Sequence, residues 1–263
     1  MHPTNLYRRL PNQLQPLAER LWAALPAATT GADIREQFVA EMFPDRTTYE
    51  AYTAEFDEVV APILADAEAE YERRVGDTRL AAMGTATARD VYALVRHERP
   101  ETVVETGVCN GASTLAMLAA LDANDAGHCH SIDYPLRADE DLDAFHEVTS
   151  AGTGAATIPP DADPGWLIPE DLRSRWSLTL GKSQEELPGV LTGVGAVDLF
   201  VHDSEHATPT MHCEMDLAYH HLAADGLLLV DDIDWTDAFE TFVDVRDPAH
   251  HGRMSPTVGY IRP

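Results

Sequence analysis

With 263 residues, 44% of them hydrophobic and 24% charged, the chain is long enough to bury a substantial core as one main domain with an appendage. Its 45 Asp and Glu against 18 Lys and Arg give a formal charge of -27, a field that repels polyphosphates and disfavours nucleic acid as a partner. No apolar run reaches the roughly 18 residues that span a bilayer, and Pro3, Pro11 and Pro16 break the opening segment, so neither a membrane anchor nor an export signal is expected.

Residues 1 to 75 read as helices, with Leu14, Leu17, Leu21 and Leu25 recurring at three- to four-residue steps. A second helical stretch from about Tyr49 to Arg74 places Phe56, Val59, Val60, Ile63 and Leu64 on one stripe, and Pro62 is expected to kink or restart it. This region carries no chemical motif and is read as a helical cap on a main domain that spans 76–263. From Met83 onward, helices alternate with short aliphatic runs, the signature of a parallel sheet with crossover helices. The predicted fold class is therefore α/β, a doubly wound and mostly parallel sheet with an N-terminal helical extension. The strand candidates are Thr102 to Glu105, His128 to Ile132, Leu178 to Leu180, Asp198 to His202 and Leu227 to Val230, with Val258 to Ile261 as a last edge strand. Between Pro135 and Trp176 a long insert contains Gly152, Gly154, Pro159, Pro160 and Pro164; loops of that length are usually functional, and a lid over a substrate is expected. The three cysteines, Cys109, Cys129 and Cys213, follow neither a redox nor a zinc spacing, which fits free thiols in a reducing cytoplasm.

The strongest local signal is the strand, glycine turn and helix start at Thr102-Val103-Val104-Glu105-Thr106-Gly107-Val108-Cys109-Asn110-Gly111-Ala112-Ser113. Gly107 and Gly111 would remove side chains where a ligand must pass, and the helix start offers unpaired N–H groups. The next strand ends in Asp133, whose carboxylate would stand at the carboxyl edge of the sheet, able to accept the hydroxyls of an adenosine ribose. A nicotinamide dinucleotide needs G-x-G-x-x-G for its pyrophosphate, whereas this loop reads G-V-C-N-G-A-S, so a dehydrogenase is disfavoured.

Two acidic clusters end later strands: His202-Asp203-Ser204-Glu205-His206 and Asp231-Asp232-Ile233-Asp234. Both would open on the edge that carries Asp133. Such carboxylates suit a hard divalent cation such as Mg2+, or they cap the helices that follow. His206 is the candidate general base, because imidazole titrates near neutrality and an alcohol needs its proton removed to become a nucleophile. His202 should point the other way, and His212, His220 and His221 read as hydrogen-bonded core residues. Trp166 and Trp176 either line an acceptor pocket or pack the insert.

Met83 to Leu121, His128 to Pro135 and Ser177 to Ile233 together resemble the successive motifs of class I S-adenosylmethionine (SAM) dependent methyltransferases, in particular the O-methyltransferase branch with the catechol and macrocin enzymes. The resemblance implies that Glu105, Gly107, Asn110 and Gly111 line the methionine part of SAM, that Ser113 supports the loop, and that Asp133 binds the ribose. Gly181-Lys182-Ser183 is similar to a G-D-S segment beside the adenine, which carries over to Ser183, and Met83-Gly84-Thr85 to the segment closing over the cofactor, which carries over to Gly84. In the macrocin enzymes and the related cephalosporin hydroxylase family a comparable set holds a metal, which maps onto Asp203, Asp231 and Asp232. The implied activity is methyl transfer from SAM to a hydroxyl of a small molecule or glycan, with His206 and Asp203 catalytic and Mg2+ as an assisting ion. A non-methylating cephalosporin-hydroxylase-like enzyme or a nucleotide-binding protein on the same fold is the alternative, and the oligomeric state, a homo-oligomer included, stays open. Only one of the 18 basic residues is a lysine, Lys182, and a surface so rich in Asp and Glu resembles the proteins of salt-loving archaea, where molar salt screens self-repulsion.

Overall fold

The structure, a computed structural model, describes residues 30–76, 80, 83–139 and 157–263. The predicted repeat at Leu14 to Leu25 and the glycines Gly152 and Gly154 lie outside them. Three helices open the described chain: α1 (Gly31–Met42), α2 (Arg46–Val59) and α3 (Ala61–Val75). Thr30 begins α1 with a reciprocal capping box to Asp33, and Asp45 caps α2 through the Thr48 amide. Pro62 falls in the first turn of α3, where its missing N–H costs nothing; it restarts the helix after Val60.

The alternating part then follows as α4 (Thr85–Glu98), β1 (Thr102–Thr106), α5 (Ala112–Ala123), β2 (His128–Asp133), β3 (Trp176–Leu180), α6 (Ser183–Val194), β4 (Val197–His202), α7 (Thr208–His221), β5 (Leu222–Val230), α8 (Ala238–Arg246), β6 (His250–Arg253) and β7 (Gly259–Arg262). The seven strands form one sheet in the order β3-β2-β1-β4-β5-β7-β6. The first five are parallel; β7 runs antiparallel to both β5 and β6. This corrects the expectation for the C-terminal strand, which lies inside the sheet and not at its edge. The edge is β6, His250-His251-Gly252-Arg253, whose lack of any aliphatic residue left no hydrophobic pattern to read.

Helices cover both faces. Val103, Leu199, Leu227 and Leu229 face a core shared with α4, α5 and residues of α1 to α3, while Val104, Phe200, Leu228 and Val230 face α6, α7 and α8. α5 is buried along almost its whole length, which explains its run Leu115-Ala116-Met117-Leu118-Ala119-Ala120-Leu121 without polar interruption. Strand order reverses between β1 and β4, since β2 and β3 extend to one side and β5, β7 and β6 to the other. The carboxyl ends of β1 and β4 are therefore the topological switch point, where open α/β sheets bind their ligands. No helix among the described residues is long and apolar enough to cross a membrane.

Candidate functional site

Hydrogen bonding continues past the strand ends and ties the loops into one rim. Gly181 donates to the Asp133 carbonyl, Gly107 to that of Ile132, Asp203 to that of Thr106 and Asp231 to that of His202, each at 2.9 Å. Gly107, Asp133, Asp203 and Asp231 are thus neighbours along the carboxyl edge. Gly107 has φ +89°, and an added Cβ would overlap the Asp203 carbonyl. Glycine is required here so that the loop after β1 can lie against the turn after β4.

The glycine loop is held from below and from the side. Glu105, with no exposed surface, accepts hydroxyl hydrogen bonds from Ser113 (2.7 Å), Thr114 (2.8 Å) and Ser131 (2.7 Å). Burial pushes its carboxyl up to about 7 against the lowering effect of those three hydroxyls. Its place is beneath the loop, as the support that fixes it. Asn110 donates to the carbonyls of Leu80 (2.6 Å) and Thr157 (3.0 Å) and accepts from the Trp166 indole (2.6 Å). Gly111, at φ +98°, faces Gly165, whose Cα would lie 2.8 Å from an added Cβ. The space expected for a ligand at Gly111 is taken by this crossing, and the side chain of Asn110 is engaged by protein on every polar atom.

The described part of the insert accordingly packs against the loop. Tyr71 of α3 donates to the Thr157 carbonyl at 2.9 Å, Arg74 pairs with Asp161 and lies over the Trp166 ring, and the Gly165 amide donates to the Cys109 carbonyl. Trp176 donates to Ser131 at 2.9 Å under the Arg173 guanidinium, so both tryptophans serve packing.

Asp133 turns one carboxylate oxygen to the amides of Val108 (3.0 Å) and Cys109 (3.3 Å). The other oxygen, Oδ2, is buried and has no hydrogen-bond partner among the described residues. Burial raises its pKa against those two backbone bonds. An acceptor of this kind, beside the glycine loop, is what a ligand hydroxyl would satisfy.

Next along the rim, Asp203, His206, Asp231 and Asp232 converge. His206 Nε2 is 3.4 Å from Asp232 Oδ2 and 3.9 Å from Asp203 Oδ1. The Asp203 side chain is 5% exposed, with Oδ2 unpartnered. Burial and then repulsion from Asp231 and Asp232 hold Asp203 well above the usual carboxylate range. Burial followed by the charges of Asp231 and Asp234 brings Asp232 up to about 7. His206 is lowered to about 3 by burial and by the neighbouring His202, so it stands as a neutral imidazole. Trp235, 47% exposed, lies beside it with ring centroids 5.2 Å apart.

Asp203 caps no helix, since α7 starts at Ala207 without a side-chain cap. The metal expectation fares differently. Among the described residues no group of three or more His, Cys, Asp or Glu is disposed to hold a metal ion. Asp231 Oδ1 turns back onto the Asp232 amide (2.9 Å), and Asp232, with a left-handed φ of 51°, reaches toward His206. The carboxylates have the chemistry for a hard cation, but among the described residues they are not arranged to hold one.

Ser183, expected beside an adenine, opens α6 and is buried near the Glu214 carboxylate, and Gly84 is the exposed N-cap of α4. Glu214 went unnoticed in the sequence. It is fully buried on α7 and collects donors from Thr106 (2.5 Å), Ser204 (2.7 Å) and the His202 ring (2.7 Å). Its signal was legible: Met211, Glu214, Met215 and Ala218 share one buried helix face, and an acid within an apolar stripe demands partners. His220 and His221 bond back to helix carbonyls, but His220 is exposed and His221 only half-buried at the end of α7, so neither is the core residue expected. A separate hollow of about 590 Å³, lined by Ile34, Gln37, Phe239, His251 and Tyr260 among others, contains none of these residues.

Residues 104–233 match a protein-family profile described as a methyltransferase domain. No curated protein matches in sequence. Among solved structures, the chain is similar to the O-methyltransferase NovP, at 17% identity and TM-score 0.56, with 81% of this chain and 98% of that one covered. It is similar to the S-adenosylhomocysteine (SAH) bound methyltransferase PaMTH1 of Podospora anserina, at 14% identity and TM-score 0.52 over 83% and 96%. A methyltransferase from Geobacter sulfurreducens aligns at 16% identity and TM-score 0.50 over 94% and 96%. At these identities the structural likeness speaks for the fold, a seven-stranded sheet flanked by helices.

Proposed function

We propose that the chain is a SAM-dependent O-methyltransferase acting on a hydroxyl of a small molecule or glycan. The observation that carries this is the buried, unpartnered Oδ2 of Asp133 beside the glycine loop, on the same rim as the neutral His206. The profile match over 104–233 supports the methyl-transfer class, and Cys109 at the place of the second dinucleotide glycine supports SAM over a nicotinamide cofactor. In this reading residues 76–263 form the cofactor-binding body and the preceding helices its cap.

The chain's own groups would then work as follows. Asp133 Oδ2 accepts the ribose hydroxyls, and the backbone from Gly107 to Cys109 borders the methionine portion. The uncapped start of α5 offers amides to its carboxylate. The acceptor hydroxyl lies near His206, whose imidazole takes the proton as the acceptor oxygen attacks the sulfonium methyl in line. The O–CH3 bond forms as the S–CH3 bond breaks, leaving neutral SAH and a protonated imidazole. Asp232, at 3.4 Å from Nε2, faces that positive charge as it appears. Alignment of donor and acceptor supplies most of the acceleration, since oriented pairs reach effective molarities of about 10⁵ M or more.

Titration calorimetry with SAM, SAH and NAD tests the reading. SAM and SAH should bind and NAD should not, and Asp133→Ala should weaken SAM by about tenfold or more, the size of one charge-assisted hydrogen bond. Binding of NAD in preference to SAM, or an Asp133→Ala protein that binds SAM as the parent does, would reject it.

A further inference from the structure

Glu214 lies behind the rim, on α7, and its carboxylate gathers donors from three places. Thr106 is the last residue of β1, His202 the last of β4, and Ser204 belongs to the turn that carries Asp203 and His206. A carboxylate is acceptor-only, so each contact must come from a proton on the partner. For His202 that puts a proton on Nδ1, 2.7 Å from Glu214 Oε2. His202 Nε2 is buried without a partner, and so is Nδ1 of His206. The two rings meet edge to face, with centroids 5.6 Å apart and planes at 81°.

We infer that Glu214 is the positioning residue of the reaction site: it fixes the tautomer of His202 and, through Ser204, the pose of the turn, and so sets how the His206 imidazole is presented to the acceptor. The inference rests on the function proposed above for its meaning, though not for its geometry. A purely structural acid at this place would need a partner for its charge and nothing more. Here the donors are instead the residues flanking the two strands at the switch point, and the ring Glu214 holds abuts the candidate base. Burial pushes the Glu214 carboxyl up, but His202 and the hydroxyls outweigh it and keep the group ionised.

The tautomers are directly observable by nitrogen-15 NMR of histidine-labelled full-length protein, which needs no acceptor. In the parent, His202 should carry its proton on Nδ1 in a strong hydrogen bond, with Nε2 bare. Glu214→Gln, which keeps the size of the side chain, should lose the downfield Nδ1 proton and change the tautomer ratio or ring shifts of His206, while SAM affinity stays within about threefold. Should that variant not fold, Ser204→Ala serves: it frees the turn without touching His202, so the His206 ring signals should move while the His202 tautomer stays. An Nε2-protonated His202 in the parent, or His206 signals unmoved in a folded Glu214→Gln or in Ser204→Ala, would overturn the inference. Failure of the parent to bind SAM in the same preparation would instead remove the methyltransferase reading and leave the tautomer result standing.

Discussion

Asp133 and His206 carry the chemistry proposed here because each keeps a buried polar atom that the protein itself does not satisfy. Unpartnered buried acceptors cost about 1 to 3 kcal/mol each, a cost that folds keep where a ligand offsets it. His206→Ala should therefore lower turnover on the true acceptor by about 10² or more, the usual worth of a positioned general base, with SAM affinity little changed. An equal loss in both quantities would point to a collapsed rim instead of a missing base. Much of this cluster was legible in the sequence, since Asp203, His206, Asp231 and Asp232 sit at strand ends and strand ends are readable. What the sequence could not display was direction: Asp231 turns one oxygen back onto the Asp232 amide, and Asp232 reaches across to His206 in the turn after β4. The second choice depends on a partner from a neighbouring strand end.

The element that most repays attention is the glycine loop, clasped between β1, β2 and the segment 157–168. Spacing alone suggested that both glycines made room for a ligand. At Gly107 the room admits the Asp203 turn, and at Gly111 it admits Gly165, contacts between segments 96 and 54 residues apart that no local pattern encodes. The parallel strands, by contrast, were legible within one or two residues at most ends, because Val103, Val104, Leu199 and Val201 have no use outside a buried sheet. β5 starts five residues earlier than its aliphatic run, and β6 has no such run at all. Asn110 joins this loop to Leu80, Thr157 and Trp166, so Asn110→Ala strands two carbonyls and an indole N–H. Loss of about 2 to 4 kcal/mol is expected in denaturant unfolding, together with weaker SAM binding. Unfolding identical to the parent would show that the clasp does not form in solution.

At the scale of the whole molecule, acidity sets the behaviour. Glu105 and Asp232 are raised to about 7, and Asp90, Asp133, Asp203 and Asp231 are raised as well, in every case chiefly by burial. At these carboxyls the folded state binds protons more tightly than the unfolded chain, whose carboxyls titrate near 3.8 and 4.5. Burial lowers His206, His128 and His130 and acts the other way below the unfolded imidazole value of 6.5, against more numerous raised groups. Stability rises as pH falls from above 7 toward about 5 and is lowest where all these groups are ionised. The formal charge of -27 acts in the same direction, and salt relieves it. Thermal unfolding should thus show Tm climbing from pH 8 to pH 5.5 at low salt, and climbing with KCl at pH 8. A Tm that falls on mild acidification, or ignores KCl, would contradict this reading.

The central claim is spatial: the glycine loop, Asp133 and the Asp203–His206 turn face one ligand along a single rim. Backbone amide NMR during titration with SAH reads that rim without any knowledge of the acceptor. The account predicts shifts concentrated at Gly107 to Asn110, Asp133 and Asp203 to His206. Shifts confined to the hollow at Gln37, His251 and Tyr260, or none at saturating SAH, would contradict it.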